Sequence, residues 1–233
     1  MHKLRTGTLL GACFACFFWI SSAIPAKAAN IALTFDDGPG PLTAELLEIL
    51  EEENVPATFF LCGCRIDEYP DAAALLGPTP HELGVHGYTH TPMNRLKPDA
   101  LQKELENTCL RIMEATGRIP TVMRPPGGIC CDCVRDLSRL AGYPVILWNI
   151  DPEDWRPEAD GEAICRRVLE NAADGDIVLL HDLNRSTLDA LPKIIQTLKN
   201  RGFTFYTVSG LAAAQQITME PGDCYSRFPA DFS

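Results

Sequence analysis

Ile31-Ala32-Leu33-Thr34-Phe35-Asp36-Asp37-Gly38-Pro39 is the stretch from which the fold can be read. Five apolar or β-branched residues without polar alternation make a strand covered on both faces, the mark of a parallel sheet. Gly-Pro then stops the strand. Residues 41–53 follow, with Leu46, Leu47 and Leu50 on one helical face. The same unit recurs along the chain. Further strands are expected at 57–62, 83–86, 122–123, 145–150, 177–180 and 203–208. Helices are expected at 98–116, 134–141, 161–172, 188–199 and 211–216. The apolar positions of 98–116 are Leu101, Leu105, Leu110 and Met113. Strands alternating with helices of this size imply βα units around a parallel sheet. About seven such units predict an α/β fold, a distorted (β/α) barrel in a single domain, with its reactive groups at the C-terminal strand ends.

Composition bounds the function. At 46% hydrophobic and 22% charged, the 233-residue chain is globular rather than disordered or fibrous. Its 31 acidic against 20 basic residues exclude a nucleic-acid binder that relies on a basic footprint. The N-terminus has a basic head (Lys3, Arg5), an apolar run over 6–24, and Ala26-Lys27-Ala28. This pattern makes 1–28 a secretory signal peptide and 29–233 the folded domain, secreted or held at the cell surface. An uncleaved anchor is the competing reading, and membrane contact is expected only in that case. Leu10-Gly11-Ala12-Cys13 resembles a lipobox, but the apolar stretch before it is short. Without the leader, 17 basic residues face 31 acidic ones, a net charge of −14.

Eight of the ten cysteines remain: Cys62, Cys64, Cys109, Cys130, Cys131, Cys133, Cys165 and Cys224. An even number outside the cytoplasm favours disulfides. They are expected to join the Cys130/Cys131/Cys133 cluster to Cys62 and Cys64 across loops at one barrel face. A second metal site is the alternative, but the cluster lacks the paired C-x-x-C spacing of a zinc ribbon.

Five polar clusters fall at expected strand ends. Asp36-Asp37-Gly38-Pro39 is either a polar turn or a pair of carboxylates, one for a metal and one for a base. His86-Gly87-Tyr88-Thr89-His90 spaces two imidazoles so that a tight turn can aim both at one ion. With an Asp they suit zinc, or another borderline divalent ion such as cobalt, nickel or manganese, and leave positions open for water and substrate. Arg124-Pro125-Pro126-Gly127-Gly128 is a structural loop, or one in which Arg124 orients a carboxylate by a bidentate contact. There the glycines would admit a ligand to main-chain N–H groups. Trp148 to Trp155 ends a strand in acidic residues, from which a carboxylate could hold a histidine in one tautomer. His181 directly follows an apolar strand.

Together these clusters resemble the polysaccharide deacetylase family, the NodB-homology domain of carbohydrate esterase family 4. TFDDGP, H-x-x-x-H, R-P-P, D-x-x-D-W and L-x-H stand in order, and the resemblance spans residues 30–211. It implies a distorted (β/α) barrel that uses one divalent metal ion to remove acetyl groups from sugars. Asp37, His86 and His90 would be the metal ligands, and Asp36 the general base. Arg124 would orient Asp36, His181 would be the general acid, and Asp154 would tune His181. Trp155 and Leu179 would line the acetyl pocket, and the Gly127 N–H would bind the oxyanion. Many members place Tyr where this chain has Gly127. The substrate expected is an acetylated glycan: an amino-sugar polymer such as peptidoglycan or chitin-type oligomers. O-acetylated xylan and silent glycan binding are the alternatives. The protein is expected to be a monomer.

Overall fold

The computed structural model describes residues 29–229. The leader assigned to 1–28, with Cys13 and Cys16, lies outside the described residues. The strands are β1 (Ala29–Asp36), β2 (Thr58–Leu61), β3 (Glu82–Val85), β4 (Val122–Met123), β5 (Val145–Ile146), β6 (Asp176–His181), β7 (Phe203–Tyr206) and β8 (Cys224–Tyr225). The helices are α1 (Thr43–Glu52), α2 (Gly63–Glu68), α3 (Pro70–Leu75), α4 (Pro98–Thr116), α5 (Asp132–Ala141), α6 (Gly161–Asn171), α7 (Arg185–Asn200) and α8 (Val208–Ala214). The strands form a parallel sheet in the order β6-β1-β2-β3-β4-β5-β8, and β7 pairs with the first half of β1. Past β5, a parallel bridge from Ile150 to Val178 of β6 carries the sheet back towards its start. The expected distorted (β/α) barrel is therefore what the chain forms.

Period-two alternation sorts the strand residues into two cores. Leu33 and Phe35 of β1 and Phe59 of β2 face outward, onto Leu46 and Leu50 of α1 and Leu191 and Ile195 of α7. Ala32, Phe60, Val122, Ile146 and Ile177 fill the interior, and Val208 and Leu211 of α8 close its base. Asp36, Leu179 and His181 follow the inward register of Ala32 and Ile177. The alternation that builds the core thus aims these side chains into the mouth.

Some expectations fail, each for a local reason. The strand expected over 145–150 ends at Ile146, because the Arg124 guanidinium occupies the carbonyls of Ile146 and Leu147. On α4 the buried stripe is Leu101, Leu105, Thr108 and Ile112, while Leu110 and Met113 are half-exposed. Leu110 lies nine residues beyond Leu101, half a revolution round the helix. Helices α2 and α3 were not expected. They are six-residue pieces separated at Tyr69, where Pro70 disfavours helical backbone in the residue before it. The disulfides are Cys130–Cys224 and Cys131–Cys133, not links to Cys62 and Cys64. Cys62 follows β2 and begins α2, and Cys62, Cys64, Cys109 and Cys165 are free thiols.

Candidate active site

β1 delivers both carboxylates of the first cluster. Asp36 is the last inward residue of the strand and is buried. The next side chain of a continuing strand would point to the other face. Asp37 instead has φ 71°, a left-handed turn that keeps its carboxylate at the mouth. One imidazole nitrogen consequently meets both: His86 Nε2 lies 3.6 Å from Asp36 Oδ2 and 3.3 Å from Asp37 Oδ1.

His86 follows β3, and its Nδ1 stands 2.8 Å from the Arg124 carbonyl oxygen. A carbonyl can only accept, so Nδ1 carries the proton and the Nε2 lone pair faces Asp37. His90 reaches the same carboxylate from the far side of a turn, with Nε2 3.1 Å from Asp37 Oδ1. The two rings lie 5.1 Å apart. Burial raises the Asp37 carboxyl, and only when the two imidazoles are protonated do their charge and N–H groups outweigh burial and hold it below the usual carboxylate range.

Arg124 is fully buried, and all three of its guanidinium nitrogens donate hydrogen bonds. Its Nη1 donates to Asp36 Oδ1 at 2.6 Å and to Thr34 Oγ1 at 2.8 Å. Its Nε and Nη2 donate to the Ile146 and Leu147 carbonyls, and its Cζ lies 4.1 Å over the Phe60 ring. The expected bidentate contact is therefore a single bond to Asp36, because the other donors are taken by Thr34 Oγ1 and by the Ile146 and Leu147 carbonyls at the end of β5. Thr34 completes this cage.

β6 pairs with β1 so that His181 stands opposite Asp36. His181 Nε2 lies 3.9 Å from Asp37 Oδ2, across the mouth. Behind it, buried Asp154 accepts from His181 Nδ1 at 2.7 Å, from the His181 amide at 2.8 Å and from Thr187 Oγ1 at 2.7 Å. Burial would lower the imidazole, but Asp154, together with Asp36 and Asp37, raises its pKa to about 9. Thr187 sits in the first turn of α7, where no sequence signal singles it out.

The remaining predicted residues are placed less tightly. Leu179 is buried on the inward face of β6, two residues before His181. Trp155 is 51% exposed, with Arg156 against its ring, so it stands at the rim rather than walling a closed pocket. The preceding left-handed turn at Glu153 (φ 57°) carries the chain outward. Gly127 has φ 67°, and a Cβ there would meet no atom within 4 Å. The space that a tyrosine would fill is open. Gly128 packs on Trp148, where a Cβ would come within 2.8 Å of the ring.

One carboxylate oxygen and two imidazole nitrogens, from Asp37, His86 and His90, lie within 4.8 Å of one another. Asp37 Oδ1 is buried and makes no hydrogen bond. An orphaned acceptor beside two nitrogen lone pairs fits a divalent cation of the zinc type.

Known proteins resemble the chain in sequence and in fold. The family model described as Polysaccharide deacetylase matches residues 23–146. The chain is 37% identical to the peptidoglycan-N-acetylmuramic acid deacetylase PdaC of Bacillus subtilis over 78% of its own length and 38% of that protein's. It is also 37% identical to a peptidoglycan-N-acetylglucosamine deacetylase of Bacillus cereus, over 83% of its own length and 92% of that protein's. Among solved structures, a family 4 acetyl xylan esterase from Clostridium thermocellum in complex with a cobalt ion superposes with a TM-score of 0.80. That match has 31% identity and covers 86% of this chain and 99% of the other.

Proposed function

The chain belongs to the polysaccharide deacetylase family, and from that premise we propose that it is a metal-dependent hydrolase removing N-acetyl groups from amino-sugar polymers of the cell wall. The observation that carries the reading is the placement of Asp36 and His181 opposite each other on paired strands, both within 4 Å of a member of the Asp37, His86 and His90 donor set. Those three would hold the ion, zinc by preference. When bound, a divalent ion supplies Lewis acidity, making water a stronger nucleophile near neutral pH and polarising the acetyl carbonyl.

The protein's own groups do the rest. Asp36 takes the proton of the attacking water, and Arg124 keeps its carboxylate aimed by the bond to Oδ1. As the new C–O bond forms, the Gly127 N–H donates to the acetyl oxygen, a type of contact typically worth about 3 kcal/mol. His181, protonated and held by Asp154, gives the Nε2 proton to the nitrogen as the C–N bond breaks. The products are acetate and a free amine. An amine leaves poorly unless protonated, and general acid–base steps of this kind contribute roughly 10²–10⁴-fold. Leu179 and Trp155 bound the space for the acetyl methyl, Trp155 from the rim.

The domain acts outside the cytoplasm, with 1–28 as a cleaved leader. The two disulfides support an oxidising compartment. No helix among the described residues is long and apolar enough to cross a membrane. The relatives named for muramic acid and glucosamine deacetylation favour an amino-sugar substrate, and the xylan esterase neighbour keeps O-acetyl esters in the comparison. Acetate release decides between them. Zinc-loaded protein is expected to release acetate from peptidoglycan or N-acetylglucosamine oligomers faster than from acetylxylan, and a chelator is expected to stop it. Faster release from acetylxylan makes it an O-deacetylase, and hydrolysis insensitive to chelation sinks the metal role.

A further inference from the structure

Glu104, on the second turn of α4, is a residue the sequence motifs do not include. Its half-buried carboxylate receives three hydrogen bonds from the turn between the two histidines. Tyr88 N–H donates to Oε2 at 2.6 Å, Thr89 N–H to Oε2 at 2.8 Å and Thr89 Oγ1 to Oε1 at 2.8 Å. The carbonyls of the same turn are also taken. Gly87 O accepts from Gly63 N–H at 3.1 Å and Tyr88 O from Cys64 N–H at 2.9 Å, both at the start of α2. A Cβ on Gly87 would lie 3.2 Å from Glu104 Oε2, and its φ of 86° disfavours any other residue. The glycine is what lets the carboxylate come close.

The two histidines differ in what orients them. His86 is buried and its Nδ1 donates to the Arg124 carbonyl. The His90 side chain is 47% exposed, its backbone is left-handed at φ 58°, and its Nδ1 has no hydrogen-bond partner among the described residues. Its direction therefore depends on the backbone of the turn. Carboxylate-to-amide bonds are charge-assisted and stronger than neutral ones. We infer that Glu104 is a positioning residue for the metal centre: by clamping the Tyr88 and Thr89 amides it presets His90 as a donor. The inference rests on the metal site proposed above.

Partners that orient ligands typically alter metal affinity by about 10–100-fold when removed. Zinc affinity, measured by chelator competition on the full folded domain, tests this with Glu104→Gln, Glu104→Ala and His90→Ala beside the wild type. The cobalt(II) visible spectrum and the melting temperature of the metal-free protein are read in parallel. Gln keeps the shape and one acceptor, so it guards against misfolding in the Ala variant. The expected result is a loss of about tenfold in Glu104→Gln and nearer a hundredfold in Glu104→Ala. The cobalt spectrum should change, and the metal-free melting temperature of Glu104→Gln should stay close to that of the wild type. Affinities within twofold of the wild type in both Glu104 variants, with His90→Ala impaired, overturn the inference and leave the metal site standing. A wild type that takes up no ion overturns the metal reading itself.

Discussion

The two ends of β3 treat buried acid and base groups in opposite ways. At its start, inside the base of the barrel, buried Glu82 is saturated. It accepts from Thr58 Oγ1 at 3.0 Å, Thr121 Oγ1 at 2.7 Å and Ser209 N–H at 3.0 Å, and also from the Ser209 hydroxyl. Just past its other end, His86 faces a mouth where Asp37 Oδ1 and Asp182 Oδ1 are buried without a hydrogen bond. Asp37, His90 and Glu153 there hold left-handed backbone although none is glycine. A satisfied buried carboxylate braces the strands that donate to it, whereas an unsatisfied one costs about 1–3 kcal/mol and persists where a ligand or reaction uses it. The base is the satisfied end and the mouth the unsatisfied one, the division expected if the base serves stability and the mouth the proposed chemistry.

Exchanging the fates of the two ends is the strongest way to break that contrast. His86→Ala is expected to abolish zinc binding and lower turnover on the order of 10⁴-fold or more, with little loss of metal-free stability. Glu82→Ala should do the reverse. It strands four donors around a buried gap and should cost about 4 kcal/mol, while activity per folded molecule stays near that of the wild type. Zinc titration, acetate release and urea melts on the two variants read both effects. A Glu82 variant that is stable but inactive would erase the division of labour.

Asp154→Asn sharpens the contrast within the mouth. Asp154 is buried and saturated like Glu82, yet the charge it holds serves His181. Asp154 raises the His181 pKa, so if His181 is the acid it stays protonated to higher pH than burial alone would allow. Removing the Asp154 charge lets burial dominate and lowers the pKa. The alkaline limb of the kcat profile should therefore move to lower pH, with turnover at neutral pH down by roughly a thousandfold. The acid limb should stay in place. An alkaline limb that does not move would detach Asp154 from the acid.

How much of this was legible depended on whether the cause was local. Asp36, Asp37, His86, Arg124 and His181 could be found because an apolar strand ends and a polar group follows, and barrel geometry sends strand ends to one mouth. Helix 98–116 matched α4 end to end because Pro98 and Gly117 mark its limits. Glu104, Thr187 and Thr34 were not legible, since each acts across a packing contact that no spacing encodes. The broken strand after Ile146 was hidden for the same reason, its carbonyls being claimed by a side chain 22 residues earlier. Cys130 pairs with Cys224 across 94 residues, and β8, only two residues long, carries no pattern that would have placed that partner.

Asp182 is the mouth's opposite to Glu82, and the smallest effect expected here follows from it. It is fully buried, with Oδ2 accepting from Thr43 Oγ1 at 2.6 Å and Oδ1 left without a partner. Burial pushes its pKa up to about 6 from 3.8, and the charge of Asp37 adds to this. Between those two values the folded state holds a proton that the unfolded chain has released. Stability must therefore fall as pH rises through that window, by about 3 kcal/mol in all. Asp182→Asn has no such proton. Its amide keeps an acceptor for Thr43, and any constant cost of the new NH₂ group is the same at every pH. The difference in unfolding free energy between variant and wild type, followed in chelator from about pH 4 to about pH 7.5, should shift in favour of the variant by about 3 kcal/mol. Parallel pH curves would show that Asp182 is satisfied after all, and that the mouth holds one unsatisfied carboxylate, at Asp37, rather than two.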